Sequence, residues 1–280
     1  MDSIIGIGGV GCRIAKKFED YSQYSVYLVD DEEWEGKKSL VLPKQNSVED
    51  YERKCPSVKR FFTKLTDQSL VIVSGASLVS ASTLAILEQI APKTSLNVLY
   101  VQPEVDLLSE TKQLCERTVR GVLQHYARSG MLERVFMVSN EQLESVVDDV
   151  SIANFYDSLN NFLVYTFHMV NVFNHIDSVT DTFSEPSQLS RICTLGVLDF
   201  ESGEEKLFFP LDFQNEVRYY YNVTEERLNK DKGLRKKIVN QVKSKKTDNK
   251  QVSFGIYESE MGYDAGYLLC FSKATQDIEN

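Results

Sequence analysis

The sequence has little proline and no pair of cysteines at metal-binding spacing. Six prolines in 280 residues, with 42% hydrophobic and 26% charged residues, exclude collagen-like and low-complexity chains. The five cysteines are odd in number and form no CxxC pair, which favours free thiols in a reducing compartment over disulfides or a zinc site. The three histidines are too dispersed for a metal motif. We therefore expect a globular chain without a metal centre.

A basic leader and a long apolar run are also missing. Met1-Asp2-Ser3 precedes only a short apolar segment, unlike a secretory signal peptide. The most apolar long stretch, residues 154–176, is interrupted by asparagines and histidines and is too polar for a membrane span. The formal net charge of −10 argues against a general nucleic-acid binder. These features predict a soluble, cytoplasmic protein.

The first half alternates short apolar runs with helical patterns. Nearly continuous apolar runs joined by helices are typical of a parallel sheet covered on both faces. The predicted strands are Ser3–Ile7, Ser25–Asp30, Ser69–Ser74, Leu96–Val101 and Glu133–Val138. The predicted helices are Cys12–Glu19, Ser80–Ile90 and Glu104–Arg128. The polar segment Glu32–Lys64 has no clear period and is expected to form a surface loop with short helices.

Residues 154–176 predict a helix that is apolar almost all round and hence buried on several sides. The chain then changes to an α+β pattern, with one helix over Thr224–Lys245. The strands predicted there are Arg191–Phe200, Glu205–Phe209, Glu216–Val223, Gln251–Tyr257 and Gly266–Ser272. We expect an α/β fold: a Rossmann-like domain over 1–177 that includes this central helix, and a small α+β domain over 178–280.

A glycine-rich turn, Gly6-Ile7-Gly8-Gly9-Val10-Gly11, follows the first strand and opens the first helix. Glycines let the backbone approach a phosphate, and the N–H groups of a helix start receive negative charge. The second strand ends in Asp30-Asp31, where a dinucleotide-binding fold places its ribose acid. The turn fits NAD-dependent dehydrogenases, ThiF-like adenylating enzymes and the tubulin/FtsZ superfamily. A tight turn needed only for packing is the alternative.

Four further segments follow in a recognisable order. Val71–Ser82 stands on a strand–loop–helix where FtsZ-like proteins carry the phosphate loop GGGTGTG. Val101-Gln102-Pro103 is similar to their V-x-x-P, and Val138–Leu143 to their I-P-N-D-x-L. Asn161-Phe162-Leu163 resembles the central helix. By this order, residues 1 to about 200 resemble the tubulin/FtsZ superfamily.

The resemblance implies a GTP or GDP site, with Mg²⁺ on the phosphates, and head-to-tail self-association. The implied phosphate-loop residues are Gly6, Gly8, Gly9, Gly11, Cys12 and Arg13, with Ser77 and Ser80 near the phosphates and Asn140 and Asn161 near the base. In this family an acid after the central helix reaches the neighbouring subunit's nucleotide. Asp181 and Glu185 take that place and are the implied catalytic pair, as groups that polarise water.

The sequence also departs from the family. Residues 76–82 contain none of the glycines of GGGTGTG, Arg13 stands where FtsZ has asparagine, and the acidic segment has one residue extra. We therefore predict a self-assembling protein that binds GTP with weak or lost GTPase activity. A nucleotide-free scaffold of a larger assembly, for example phage-encoded and located in the host cytoplasm or the virion, is one alternative. A Rossmann NAD- or ATP-binding enzyme is the other.

One segment opposes the acidic character of the chain. Residues 227–250 contain ten lysines or arginines and two aspartates, a local balance of +8 that leaves −18 for the remainder. A solvated helix face is one interpretation. The other is contact with an acidic protein partner, such as the acidic face of another copy. Nucleic acid is disfavoured because no aromatic stacking platform accompanies the charges.

Overall fold

The computed structural model describes residues 1–147, 150–259 and 262–276. The chain divides into two compact units, Met1–Val164 and Tyr165–Asn280. The division falls inside the long helix, and the sequence-based boundary at 177/178 stays a prediction. No helix in the described ranges has both the length and the apolar character that a membrane span requires.

The first unit is built on a parallel sheet with the strand order β3-β2-β1-β4-β5-β6. Its strands are β1 (Ser3–Ile7), β2 (Ser25–Asp30), β3 (Ser39–Val41), β4 (Gln68–Val73), β5 (Ser95–Gln102) and β6 (Arg134–Ser139). The direction of crossover changes between β1 and β4, and ligands of doubly wound sheets bind outside the strand ends at such a point. The prediction of a parallel α/β sheet is confirmed.

Helices connect these strands because apolar residues repeat at helical spacing. They are α1 (Gly8–Lys17), α2 (Val48–Arg53), α3 (Ser82–Ile90), α4 (Glu110–Ser129) and α5 (Asn140–Val146). Helix α4 ends at Gly130, whose φ of 85° is the left-handed conformation that glycine favours at a helix end. It begins at Glu110, because a 3₁₀ turn and then Ser109 in extended conformation precede it. The predicted start at Glu104 is therefore wrong.

Helix α6 spans Phe155–Phe173 and is buried over most of its length. Its first turn is open, with Tyr156 54% exposed. The buried positions cover several sides of the helix, as its pattern predicts: Leu159, Leu163, Val164, Thr166, Phe167, Met169, Val170, Asn171 and Phe173. The predicted buried helix is thus confirmed beyond its first turn.

The second unit contains a mixed sheet with the order β8-β12-β10-β11-β7, and β9 pairs with β8. Its strands are β7 (Thr180–Asp181), β8 (Ile192–Leu198), β9 (Glu205–Leu207), β10 (Glu216–Thr224), β11 (Gln251–Ser259) and β12 (Ala265–Ser272). Strands β10 and β11 are parallel, and β12 is antiparallel to both of its neighbours. The α+β character of this part is confirmed.

The single helix predicted over Thr224–Lys245 is wrong. Two helices occupy the segment, α7 (Glu225–Lys230) and α8 (Leu234–Ser244). Between the two helices, the Asp231 carboxylate accepts a hydrogen bond from the backbone N–H of Gly233 at 2.9 Å. Such a side-chain bond offers the backbone an alternative to the helical ladder.

Candidate functional site

The turn between β1 and α1 is shaped by contacts that exclude side chains. A Cβ atom on Gly6 would lie 2.6 Å from the carbonyl oxygen of Gly11, and one on Gly11 would overlap the carbonyl oxygen of Ile72 in β4. Gly8 has φ of 71°. These three glycines therefore have structural reasons to be glycine.

Gly9 is different, because a Cβ atom there would have only the Asp30 carboxylate within 4 Å, at 3.9 Å. Packing alone does not explain a glycine at this position. The space outside it lies at the start of α1, where backbone N–H groups lack helical partners and receive anions. Among the four glycines of this turn, Gly9 is the one whose missing side chain leaves open space.

Cys12 and Arg13, neighbours on α1, differ in exposure. The Cys12 thiol is buried and lies 3.5 Å from the carbonyl oxygens of Gly6 and Val29, and burial raises its pKa to about 12. Arg13 is exposed. Of this pair, only Arg13 has a side chain that reaches solvent.

The loop after β4 lies beside the glycine turn. A Cβ atom on Gly8 would be 3.2 Å from Ser77 Oγ, so the first and second predicted loops are neighbours. Ser77 is exposed and caps a 3₁₀ turn by accepting from the N–H of Ser80. Ser80 is buried, and its hydroxyl donates to the carbonyl oxygens of Gly75 at 3.1 Å and Ser77 at 2.5 Å. Its proton is therefore used inside the loop.

A buried polar cluster supports this second loop. The Glu116 carboxylate on α4 accepts from Tyr100 Oη and from Arg120 Nε, both at 2.9 Å, and Glu116 is fully buried. A Cβ atom on Gly75 would lie 2.6 Å from Tyr100 Oη and 3.0 Å from the Cα atom of Glu116. The loop thus rests directly on the cluster.

Asp30, at the end of β2, is 5% exposed and faces Gly9. Its carboxylate accepts from Trp34 Nε1 at 2.7 Å and from the backbone N–H of Asp31 at 2.9 Å. Burial raises the pKa of Asp30 in spite of these two bonds. A carboxylate at this edge favours a neutral hydroxyl over a phosphate as its neighbour, as in the predicted ribose contact.

A cleft of about 520 Å³ opens along α1. Cations on one face of α1 line one side, and the first turns of α6 line the other. The lining residues are Arg13, Lys16, Lys17, Glu19, Asp20, Trp34, Tyr156, Asp157 and Asn160. Lys17 Nζ lies 2.5 Å from the Asp157 carboxylate and lowers the pKa of that acid. The cleft thus offers a flat ring and an amide, together with three cations and three carboxylates.

The predicted base contacts lie in different surroundings. Asn140 begins α5 at the end of β6 and is partly exposed. Asn161 is exposed, and its amide donates to Asp157 at 3.3 Å. The cleft is lined instead by the preceding residue, Asn160, with Tyr156 one turn earlier. The sequence analysis missed this pair, although the spacing of four residues places both on one helix face.

The two predicted catalytic acids are on the second unit. Asp181 ends the short strand β7, and its carboxylate accepts from Ser178 Oγ at 2.5 Å and from the N–H of Phe183 at 3.2 Å. Glu185 is exposed. Within the described residues, no group of three or more histidine, cysteine, aspartate or glutamate side chains could hold a metal ion.

Comparisons with known proteins complete this description. No protein-family model matches the sequence, and no curated protein matches it. Solved structures do match, over nearly the whole chain. TubZ of Bacillus thuringiensis serovar israelensis, in a GTPγS-form protofilament, has a TM-score of 0.73 at 14% identity and covers 99% of this chain and 88% of its own.

The chain has the tubulin/FtsZ fold. CetZ2 from Haloferax volcanii, a GTPγS-bound protofilament, matches with a TM-score of 0.69 at 14% identity and covers 98% of this chain and 94% of its own. An empty FtsZ dimer from M. jannaschii matches with a TM-score of 0.66 at 10% identity and covers 96% and 87%. The resemblance stated from the motifs is thus confirmed as a likeness of fold. Identities this low carry no residue roles.

Proposed function

We propose that the chain is a self-assembling protein that binds a guanine nucleotide at the β1/β4 switch point. The observation that carries the proposal is Gly9, which has no packing reason to be glycine and stands at the start of α1, beside the cleft. The phosphates would lie over Gly8, Gly9 and Gly11, with Mg²⁺ on them. The solved relatives include GTPγS-bound protofilaments, which supports the choice of nucleotide.

The base is assigned to the cleft between α1 and the start of α6. Tyr156 offers a ring and Asn160 an amide with both a donor and an acceptor, the two features that purine recognition uses. Asn140 and Asn161 remain the contacts that the family resemblance implies. Replacing Asn160 and Asn161 separately by Ala decides between them: the residue at the base should weaken GTP binding more than ATP binding.

Trp34 gives a direct binding measurement, because it is the only tryptophan of the chain and lines the cleft. We expect GTP to change its fluorescence at lower concentrations than ATP or NAD. Gly9→Ala should weaken the response at least about tenfold by filling the phosphate position. Gly121→Ala is the matched control, since a Cβ atom there meets nothing within 4 Å. A tighter response to NAD would support the dehydrogenase alternative, and ATP-dependent adenylation the ThiF-like one.

Self-assembly is supported by apolar side chains on the surfaces expected to meet. In the first unit, Val10 and Leu78 are exposed on the two loops of the candidate site, at 40% and 41%. In the second unit, Val179 and Leu189 flank Asp181 and Glu185 and are 58% and 73% exposed. A head-to-tail contact of two such different faces is heterologous and generates filaments or rings. In that contact Asp181 and Glu185 would polarise water at the neighbour's nucleotide.

A nucleotide-independent scaffold is the second candidate, and Ser80 favours it. Its hydroxyl donates to the carbonyl oxygens of Gly75 and Ser77, so it is already hydrogen-bonded within the second loop. Sedimentation with and without GTP, together with phosphate release, separates the two candidates. GTP-dependent pelleting with turnover that Asp181→Asn or Glu185→Gln abolishes supports the GTPase. Equal pelleting without nucleotide and without turnover supports the scaffold.

A further inference from the structure

Helix α8 has one apolar face and one basic face. Leu234, Ile238 and Val242 repeat every four residues and are buried. The opposite side carries only exposed cations and neutral residues, and α8 contains no acidic residue. The cations of this basic face, from the turn before α8 to the turn after it, are Lys232, Arg235, Lys236, Lys243 and Lys246.

Other cations on and near α8 do form ion pairs within the second unit. Glu201 accepts from both Arg227 and Lys237, and Lys245 Nζ lies 2.5 Å from Glu205. Asp264 accepts from Arg227 at 2.6 Å. These cations fix α7 and α8 to the rest of the unit. None of the five residues of the basic face makes an ion pair within the part of the chain that the structure describes.

The placement of the basic face works against the helix itself. Arg235 and Lys236 are the second and third residues of α8, and its first turn holds no acid. The helix dipole makes this end positive, so cations are less favourable here than in the last turn of the helix. Cations kept against the dipole indicate a surface that binds negative charge.

An exposed acidic run exists on the same chain. The run after β2, Asp31-Glu32-Glu33-Trp34-Glu35, exposes Glu32, Glu33 and Glu35. Glu32 has one distant partner, Lys44, at 3.6 Å, with both side chains exposed. The remainder of the chain outside residues 227–250 carries −18, which makes another copy an abundant acidic partner. Residues 222–253 contain no aromatic residue on which a nucleic acid base could stack.

We infer that the basic face of α8 binds the acidic run Asp31–Glu35 of a second copy of this chain. The two patches differ, so the contact is heterologous and can join many copies. It needs no nucleotide and does not use Asp181 or Glu185, and within the run only Trp34 lines the candidate nucleotide cleft. It goes beyond the proposed GTP-dependent assembly, because its failure leaves GTP binding and GTP-dependent pelleting unchanged. Because the contact is between exposed charges, it should weaken as the Debye length falls from about 10 Å at 0.1 M salt to about 3 Å at 1 M.

Charge reversal on each side, followed by mixing, tests the contact. Sedimentation velocity of the full chain without nucleotide and with EDTA should show association at 50 mM KCl that disappears at 1 M KCl. Arg235→Glu with Lys236→Glu, or Glu32→Lys with Glu33→Lys, should each raise the dissociation constant at least about tenfold. An equimolar mixture of these two variants should recover association, because the reversed charges are complementary.

Lys112→Glu with Arg128→Glu on α4 is the control for the Arg235/Lys236 variant, since it changes the net charge by the same amount at exposed positions and should keep association intact. The melting temperature of the Arg235/Lys236 variant shows whether a loss of association reflects unfolding. It should be equal to or higher than that of the wild type, because glutamate in the first turn of α8 interacts favourably with the helix dipole. The proposal is overturned if the wild type stays monomeric at 50 mM KCl or if the mixture fails to associate. Wild-type chains that stay monomeric but bind a short DNA duplex would assign the face to nucleic acid instead.

Discussion

The loop after β1 and the loop after β4 leave neighbouring strands of one sheet, and they achieve their shapes by different means. In the first loop, Gly6 and Gly11 are pressed against backbone atoms, while Gly9 faces open space. In the second, Ser80 turns its hydroxyl inward and Gly75 rests on Tyr100 and Glu116. The first loop is therefore shaped by glycines in close contact with backbone atoms, and the second by a hydroxyl that bonds to the loop's own carbonyl oxygens.

This difference separates two meanings of a glycine-rich motif. A glycine can be required by contact with the backbone or by a ligand, and only the second kind is informative about binding. Gly11 belongs to the first kind, and we propose that Gly9 belongs to the second, because open space lies outside it.

Gly11→Ala should destabilise the protein most, by about 3 kcal/mol. Its Cβ atom would overlap the Ile72 carbonyl oxygen, and backbone on both sides must shift to make room. Urea denaturation measures the change. Gly9→Ala is the internal control and should cost less than about 1 kcal/mol, because nothing lies closer than 3.9 Å. Equal losses in the two variants would remove the distinction between the glycines.

Glu116→Gln should cost about 2 kcal/mol, because it removes the buried charge that accepts from Arg120 and Tyr100. Loosening of the second loop should follow, seen as faster hydrogen exchange at residues 75–80. Glu110→Gln on the same helix, at an exposed position, should cost under about 1 kcal/mol. Unchanged exchange in Glu116→Gln would mean that the cluster does not support the loop.

Ser80→Ala and Ser77→Ala should differ in their effect on GTP binding. Loss of the buried Ser80 hydroxyl should cost about 1 kcal/mol of stability, since the Gly75 carbonyl oxygen loses its donor, and should leave binding unchanged. Ser77 caps the 3₁₀ turn, so its loss should also cost about 0.5–1 kcal/mol. Because Ser77 is exposed beside Gly8, its loss should in addition weaken GTP binding severalfold. Thermal melts and Trp34 fluorescence measure the two effects. A Ser80 variant with normal stability and weakened binding would place its hydroxyl at the ligand.

The smallest effect concerns Cys12. Its folded pKa of about 12 lies above the ordinary value of 9.0, so the folded state holds this proton more tightly than the unfolded state does. Its contribution to stability is therefore constant below pH 9 and declines as pH rises from 9 towards 12. Iodoacetamide at pH 8.5 should label the partly exposed Cys55 and Cys115 but not Cys12. Mass spectrometry of the peptides reads this out, and rapid labelling of Cys12 would contradict its inward orientation.

Strands were predictable because a buried parallel strand is a continuous apolar run. The bounds of β1 and β2 agree with the prediction to the residue. The sequence analysis expects short helices inside Glu32–Lys64 but does not locate α2 or the strand β3. Elements of three to six residues give too little periodicity for that. The sequence pattern predicts α7 and α8 as one helix, because helical periodicity does not reveal the hydrogen bond of the Asp231 side chain that separates them.

Site residues were harder to predict than strands, because a sequence motif indicates which helix carries the site but not which side of that helix faces it. Cys12 and Arg13 are adjacent in sequence, yet one thiol is in the core and the other side chain is in solvent. Asn160 and Asn161 are a second such pair, and only Asn160 lines the cleft. One step along a helix turns the side chain by about 100°, which is enough to move it from a cleft to solvent.

The position of β12 has a consequence for synthesis on the ribosome. This strand lies between β8 and β10, although it comes last of the three in the chain. Until residue 272 emerges, each of those strands carries an unpaired edge, the kind of surface that promotes association with other chains. The first unit, whose strands are complete by Ser139, can fold well before that. Nascent chains stalled before residue 265 should therefore contain a protease-resistant first unit attached to a protease-sensitive second one.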